Sequence, residues 1–395
     1  MPISDESTHK VAQPQSAASP VTQTVSEDKN IEPGMALCLS GGGYRAMVFH
    51  LGTLKRLNET GLLRKLKRVS SVSGGSIAAG VLGLRWKQLS FDANDVASNF
   101  DNLVINPIRD LAGKTIDAEA IFGGIFSGDT INDKIIKAYE RNLFGNATLQ
   151  DLPSDNEGPR FVINATNIQT GALWRFSKPY MADYLVGKFI NPDLRLSIAV
   201  AASSAFPPVL SPAVIDLSSF HLDPKNRGPL DFDPYTREAV LSDGGVYDNL
   251  GLETAWKRYK TILISDGGGK MKPEPEPKKD WARHSYRVLN VIDNQVRSLR
   301  VRQAIAAFEN KDDEHDGAYW GIRTDIANYQ VPDALSCPLD RTTELANIPT
   351  RLKRFEPACQ ERLINWGYAV CDAALRKHVN PALPKPAGFP FPGGV

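Results

Sequence analysis

The sequence has no excess of charge of one sign: 46 Lys and Arg stand against 45 Asp and Glu, a formal net charge of +1. A dedicated nucleic-acid binder normally carries a basic excess or a basic domain, so no nucleic-acid partner is expected. Long hydrophobic runs are also missing. No stretch approaches the roughly 18 uninterrupted apolar residues of a membrane span. The opening MPISDESTHK lacks the basic-then-apolar order of a secretory signal, so a soluble chain is expected. Cysteine is scarce: Cys38, Cys337, Cys359 and Cys371 are too few for a disulfide scaffold and match no zinc-site spacing. A cytoplasmic chain with buried thiols and no structural metal follows. There is no repeat of fixed period, which excludes a solenoid or propeller.

What is present is globular. The 395 residues are 42% hydrophobic and 23% charged, enough for a large core. Residues 1–33 hold 2 Lys and Arg against 5 Asp and Glu with almost no large apolar groups, so an acidic disordered tail is expected. Residues 381–395 contain five Pro and three Gly and are expected to run as an extended arm or linker. The folded body is then 34–380.

Within it, Met35–Leu39 is an apolar run ending in Ser40 and three glycines, which suits a strand buried on both faces. Met47, Val48, Leu51, Leu54 and Leu57 follow at helical spacing, with Gly61 closing the helix. Arg68–Val72 reads as a second strand, Ser73-Gly74-Gly75 as a turn, and Ser76 to about Trp86 as a second helix. This βαβα order predicts an α/β fold. Further strands are expected at 160–165, 239–241 and 261–265. Residues 87–150 read as helix and loop, with Phe122–Phe126 as either a buried connector or a lid over an apolar pocket.

Three motifs carry chemistry. Ser40-Gly41-Gly42-Gly43-Tyr44-Arg45 sits at a strand-to-helix junction, where successive backbone N–H groups turn toward one point and the helix N-terminus adds positive potential. Such a nest binds phosphate or a developing oxyanion, although neither nucleotide-binding glycine pattern can be read through it. Ser71-Val72-Ser73-Gly74-Gly75 has the small residues that a nucleophile elbow needs two places either side of its serine. Ser70, Ser71 and Ser76 are the competing hydroxyls. Ser242-Asp243-Gly244-Gly245 ends a strand in a carboxylate able to accept the serine proton, with Asp248 and Asp266 as rivals. None of the six histidines sits in such a motif. A Ser-His-Asp triad in α/β-hydrolase order would need His284, His315 or His378, so the chain points instead to a Ser-Asp dyad.

GGGYR, then S-x-S-G-G, then D-G-G, in this order, resembles the patatin-like phospholipases. Supporting likeness appears in 161–167 and in 199–208. The resemblance covers roughly residues 34–270 of the expected 34–380 domain, leaving 271–380 as a helical C-terminal part. It implies a single three-layer α/β domain with a mostly parallel central sheet and helices on both faces. It further implies Ser73 as nucleophile, Asp243 as general base, and Gly41, Gly42, Gly43 and the N–H of Gly74 as the oxyanion hole. Arg45 would orient the loop. The implied activity is hydrolysis of acyl esters of phospholipid or lysophospholipid, with no cofactor and with peripheral contact at a membrane. A protein activator also belongs to what the family implies, with the two tails as candidate contacts. Two other readings stay open: a Ser-His-Asp esterase, and a catalytically silent scaffold that binds phosphate or lipid. The basic run Lys55, Arg56, Arg64, Lys65, Lys67 and Arg68 reads either as a solvated helix end or as a dock for anionic head groups.

Overall fold

A computed structural model describes residues 31–116, 130–208 and 210–395. Most of the expected N-terminal tail and the whole Phe122–Phe126 patch lie outside the described residues.

Among the described residues, eleven strands form one sheet: Glu32–Leu39 (β1), Leu66–Val72 (β2), Arg160–Asn167 (β3), Ala172–Phe176 (β4), Tyr180–Asp183 (β5), Gly187–Ile190 (β6), Ala213–Asp216 (β7), Leu222–Arg227 (β8), Glu238–Asp243 (β9), Tyr259–Asp266 (β10) and Asp316–Gly321 (β11). The centre runs β11-β10-β1-β2-β3 with every neighbour parallel. Beyond β3 the sheet continues through β4, β5, β6 and β8 as an antiparallel wing, which the sequence reading did not anticipate. β1 starts at Glu32, inside the segment expected to be tail.

The helices that matter to the site are Gly43–Glu59 (α1), Gly74–Arg85 (α2), Leu196–Ser203 (α3), Gly245–Asp248 (α4), Trp281–Glu309 (α5) and Pro357–His378 (α6). Side chains alternate across a strand. Leu37 and Leu39 of β1 therefore join one apolar cluster, with residues of α1, α2 and α6. Ala36 and Cys38 join another, with Leu250, Leu252, Ile262, Ile264 and Ala304 of α5. Apolar layers thus cover both faces, as an uninterrupted MALCL run requires.

α1 is almost wholly buried because α6 covers it. The two backbones meet at glycines: a Cβ on Gly52 would lie 2.0 Å from the Ile364 carbonyl oxygen, and one on Gly367 2.0 Å from that of Phe49. Buried Arg56 of α1 pairs with buried Asp372 of α6 at 2.7 Å.

Residues 381–395, expected as an extended arm or linker, are instead tied to this pair. Asn365 of α6 donates to the carbonyls of Phe391 and Gly394 and accepts from the Phe391 N–H. The Arg109 guanidinium lies 4.5 Å from the Phe391 ring centre, and Arg56 donates to the Pro384 carbonyl.

Candidate active site

Strand pairing brings the serine and aspartate motifs together. Along one edge of β3, β2 pairs in parallel up to Val72 opposite Asn164. At Ala165 that edge passes to antiparallel β9, whose last residue, Asp243, lies opposite Ala165; β4 occupies the other edge. β2 and β9 therefore point at each other, and Ser73 and Asp243 meet where they end. The β1 and β10 loops open on the same side, because both strands run parallel to β2.

Ser73 has φ 51° and ψ −119°, an uncommon conformation for a residue with a side chain and one associated with functional turns. It caps α2 at its N-terminus, where the helix contributes positive potential. The turn is possible because its neighbours have no side chain. A Cβ on Gly75 would come 2.4 Å from the Leu39 carbonyl oxygen, and one on Gly74 2.1 Å from that of Gly43. Ser71, where the elbow pattern usually has glycine, fits without strain: its hydroxyl accepts from Ser76 at 3.0 Å. Ser70 bonds to the Gly251 carbonyl and Thr254. The rival hydroxyls are thus engaged in the framework.

Asp243 is buried and accepts from the Gly245 N–H at 2.7 Å, with the Ser73 side chain near enough to favour its charged form. Burial raises its pKa to about 7; the Gly245 N–H and the nearby Ser73 hydroxyl pull it down, and nearby Asp293 of α5 pushes it up. The rival acids have other partners. Asp266 pairs with Arg297 at 2.6 Å and accepts from the Tyr319 hydroxyl at 2.9 Å. Although burial alone would raise its pKa, these partners bring it below the ordinary carboxylate value. Asp248 accepts from the N–H groups of Leu250 and Glu253.

The glycine loop lies against Ser73. Gly42 (φ 144°) and Gly43 (φ 60°) adopt conformations open mainly to glycine. Among the described residues, the N–H groups of Gly42, Gly43 and Gly74 have no acceptor, as expected where a helix begins. Gly41 departs from the expected donor set, since its N–H already donates to the Asn249 carbonyl at 3.0 Å. Its contribution is clearance: a Cβ there would sit 3.2 Å from that of Ser73 and 2.4 Å from Asn249 Oδ1. Arg45 donates to the carbonyls of Gly267 and Ile348 and to Thr350. It thereby ties the glycine loop to the β10 loop and to residues 348–350.

Among the described residues, no histidine hydrogen-bonds to Ser73 or Asp243. His50 is buried against the Ser40 carbonyl and Ser265, each at 2.9 Å, and burial lowers its pKa to about 4. His315 stacks on Trp256, His284 lies on the exposed start of α5, and His378 abuts Tyr329 at the end of α6.

The basic run is dispersed. Arg56 and Arg68 are buried, and Lys55 and Arg64 pair with Asp101 and Asp95. Lys65 and Lys67 are exposed near the start of β2. Ser73 follows the other end of that strand, roughly 20 Å away at strand rise, so the run does not frame the site.

Residues that the sequence reading did not single out hold the turn in place. Ser203, at the end of α3, accepts from the Ser73 N–H at 2.9 Å, bonds with Ser76 at 2.9 Å, and donates to the Asn164 carbonyl at 2.6 Å. Two residues on, the Ala205 carbonyl accepts from the Asp243 N–H. The 199–208 segment entered the sequence reading only as a likeness. Its bonds to both motifs give it a physical role.

A family model described as patatin-like phospholipase matches residues 37–256, more than half of the chain. No curated protein matches it. Among solved structures, human GIVD cytosolic phospholipase A2 is similar with a TM-score of 0.53 and 13% identity, over 89% of this chain and 62% of that one. The same human protein in complex with methyl gamma-linolenyl fluorophosphonate has a TM-score of 0.52 and 14% identity, over 89% of this chain and 59% of that one. The chain therefore spans less than two thirds of the length of either, and at this identity the likeness is one of fold. Since the match takes in the glycine loop, the strained serine and the strand-end aspartate, the chain belongs to the patatin-like phospholipase family.

Proposed function

We propose that this protein is a serine lipid acyl hydrolase, cleaving acyl esters of phospholipids or lysophospholipids with Ser73 as nucleophile and Asp243 as its base. The observation that carries the reading is Ser73 in a strained strand-to-helix turn, at the meeting point of β2 and β9 where the buried carboxylate of Asp243 ends the facing strand. A carboxylate with a pKa of about 7 is well matched to taking and returning a proton near neutrality.

Ser73 Oγ attacks the ester carbonyl as its proton passes to Asp243. The carbonyl oxygen becomes an oxyanion facing the N–H groups of Gly42, Gly43 and Gly74, whose donation lowers the barrier by about 3 kcal/mol per well-aimed donor. The tetrahedral intermediate collapses, the C–O bond to the glyceryl oxygen breaks, and Asp243 returns the proton to that leaving oxygen. A water then gives its proton to Asp243 and attacks the acyl-enzyme, releasing fatty acid and restoring Ser73. Arg45 acts as a positioning residue that holds the glycine loop. The fluorophosphonate held by the human structural neighbour suits this reading, because that reagent class reacts with activated hydroxyls.

The test is direct. Ser73→Ala and Asp243→Asn are each expected to lower hydrolysis of a nitrophenyl ester by at least 1,000-fold, the scale of losing a catalytic group, with Ser73→Ala keeping the wild-type melting temperature and Asp243→Asn folding at least as stably as wild type. Wild type should label with a fluorophosphonate probe, and Ser73→Ala should not. Full activity in either variant rejects the dyad. Lipid mass spectrometry of a phospholipid mixture treated with wild type or Ser73→Ala identifies the ester cleaved.

A further inference from the structure

α5 is 29 residues long, about 43 Å at helical rise, yet only Ala304 and Ala307 on it are buried. Its middle is fixed beside the site. Arg297 pairs with Asp266 at the end of β10, and Arg300 with Glu253 and Asp248 behind the Asp243 turn. In the half that precedes Arg297 every residue is exposed or half-buried. Trp281, Val288, Ile292 and Leu299 are spaced by seven, four and seven residues, which aligns them on one face. All four are exposed, Trp281 at 84% and Ile292 at 54%. Val246, exposed and three residues after Asp243, lies on α4, which packs against α5; exposed Phe206 follows Ala205, whose carbonyl accepts from the Asp243 N–H.

The charge around this row has one dominant sign. From Lys270 to Arg302 there are nine Lys and Arg against four Asp and Glu, in a chain that is otherwise nearly balanced. Lys270, Lys272, Lys278 and Lys279, just ahead of the helix, are exposed and have no ion-pair partner among the described residues. An apolar row with cations beside it, on a helix too polar to cross a membrane, matches the physics of an interfacial helix. Apolar side chains enter the head-group boundary while Lys and Arg meet anionic lipid.

We propose that α5 docks the protein on an anionic lipid surface, with the Trp281–Leu299 row entering the interface and the Lys270–Lys279 cations binding lipid head groups. The inference rests on the lipid-hydrolase reading, because docking there brings the mouth beside Ser73 to the layer that holds the acyl esters. Phe206 and Val246 extend the contact to the rim of the site.

The experiment uses the full-length Ser73→Ala chain, so that binding is read without turnover. It is mixed with phosphatidylcholine vesicles containing about 30 mol% phosphatidylserine, a composition that supplies a negative surface potential, and binding is measured by flotation. We expect the chain to float with these vesicles, less so at high salt, and brominated lipid to quench Trp281, the exposed one of the six tryptophans. The Val288→Glu/Ile292→Glu double substitution should weaken flotation at least tenfold with unchanged melting temperature. Absence of flotation, flotation equal in the substituted chain, or unquenched Trp281 overturns the proposal. So does light scattering in which the substitution turns a dimer into a monomer, since a second copy then covers the face. Vesicle binding by a wild-type chain whose Ser73 does not label would overturn the hydrolase reading and leave the docking intact.

Discussion

Asp243 has two opposed requirements placed on one carboxylate. It must lose its proton to act as a base, and burial resists that loss, which is why its pKa stands near 7 rather than near 4. Activity is therefore expected to fall tenfold per pH unit below about 7 and to level above it; a limb near pH 4 would contradict the burial. The sign for stability is the reverse. A group that binds its proton more tightly when folded contributes stability that is fully present below the unfolded value near 4 and is lost as pH rises through 7. Asp243→Asn, neutral at every pH, should thus exceed wild type in stability by an amount that grows as pH rises from 5 to 8, up to roughly 4 kcal/mol, with a parallel gain in melting temperature. Scans at several pH values with a constant difference would remove the buried charge as the cause. Ser73 and Asp243 were legible in sequence because each stands in a small-residue turn at the end of a strand. Ser203 was not, because its role is made by contacts with Ser73, Ser76 and Asn164 that no local pattern records.

At the scale of elements, α1 and α6 are held at a distance that only glycine allows. Replacing Gly52 or Gly367 by alanine places a methyl group 2.0 Å from a carbonyl oxygen of the facing helix, and backbone cannot swing aside as a side chain does. Each substitution is expected to cost about 3 kcal/mol, the upper part of the range for overpacking, and to loosen the start of α1 that carries Gly43 and Arg45. Denaturant unfolding measures the loss; a cost under about 0.5 kcal/mol, the scale of a neutral surface change, would mean that the helices slide apart freely. The α1 pattern itself was read from its apolar spacing, and its observed span Gly43–Glu59 contains every residue of that pattern. Its partner α6 lies more than 300 residues away in sequence, so the crossing was beyond any local reading.

For the whole molecule, the Pro/Gly-rich end contributes to the body. Truncation after Asn380 leaves the Asn365 side chain without its three backbone partners and removes an acceptor of Arg56. Unsatisfied buried groups cost about 1–3 kcal/mol each, so the melting temperature should drop by several degrees. An unchanged transition would show that the arm only rests on α6. The basic run makes the same point about scale. Lys65 and Arg68 are near Ser73 in sequence, but much of a strand's length separates them in space, while Arg297, more than 200 residues on, pairs with Asp266 at the end of β10, on the sheet edge where β2 also ends.

The sequence by itself determined the α/β alternation, the buried parallel centre and the three glycine-rich turns, because apolar periodicity and steric freedom are local properties. Only the tertiary structure decided which turns meet. The exchange of β2 for β9 along one edge of β3 sets Ser73 beside Asp243, while long-range packing commits the Gly41 N–H to Asn249 and ties α5 to the end of β10 through Arg297 and Asp266. Those outcomes depend on strand register and long-range packing, which join residues far apart in the chain.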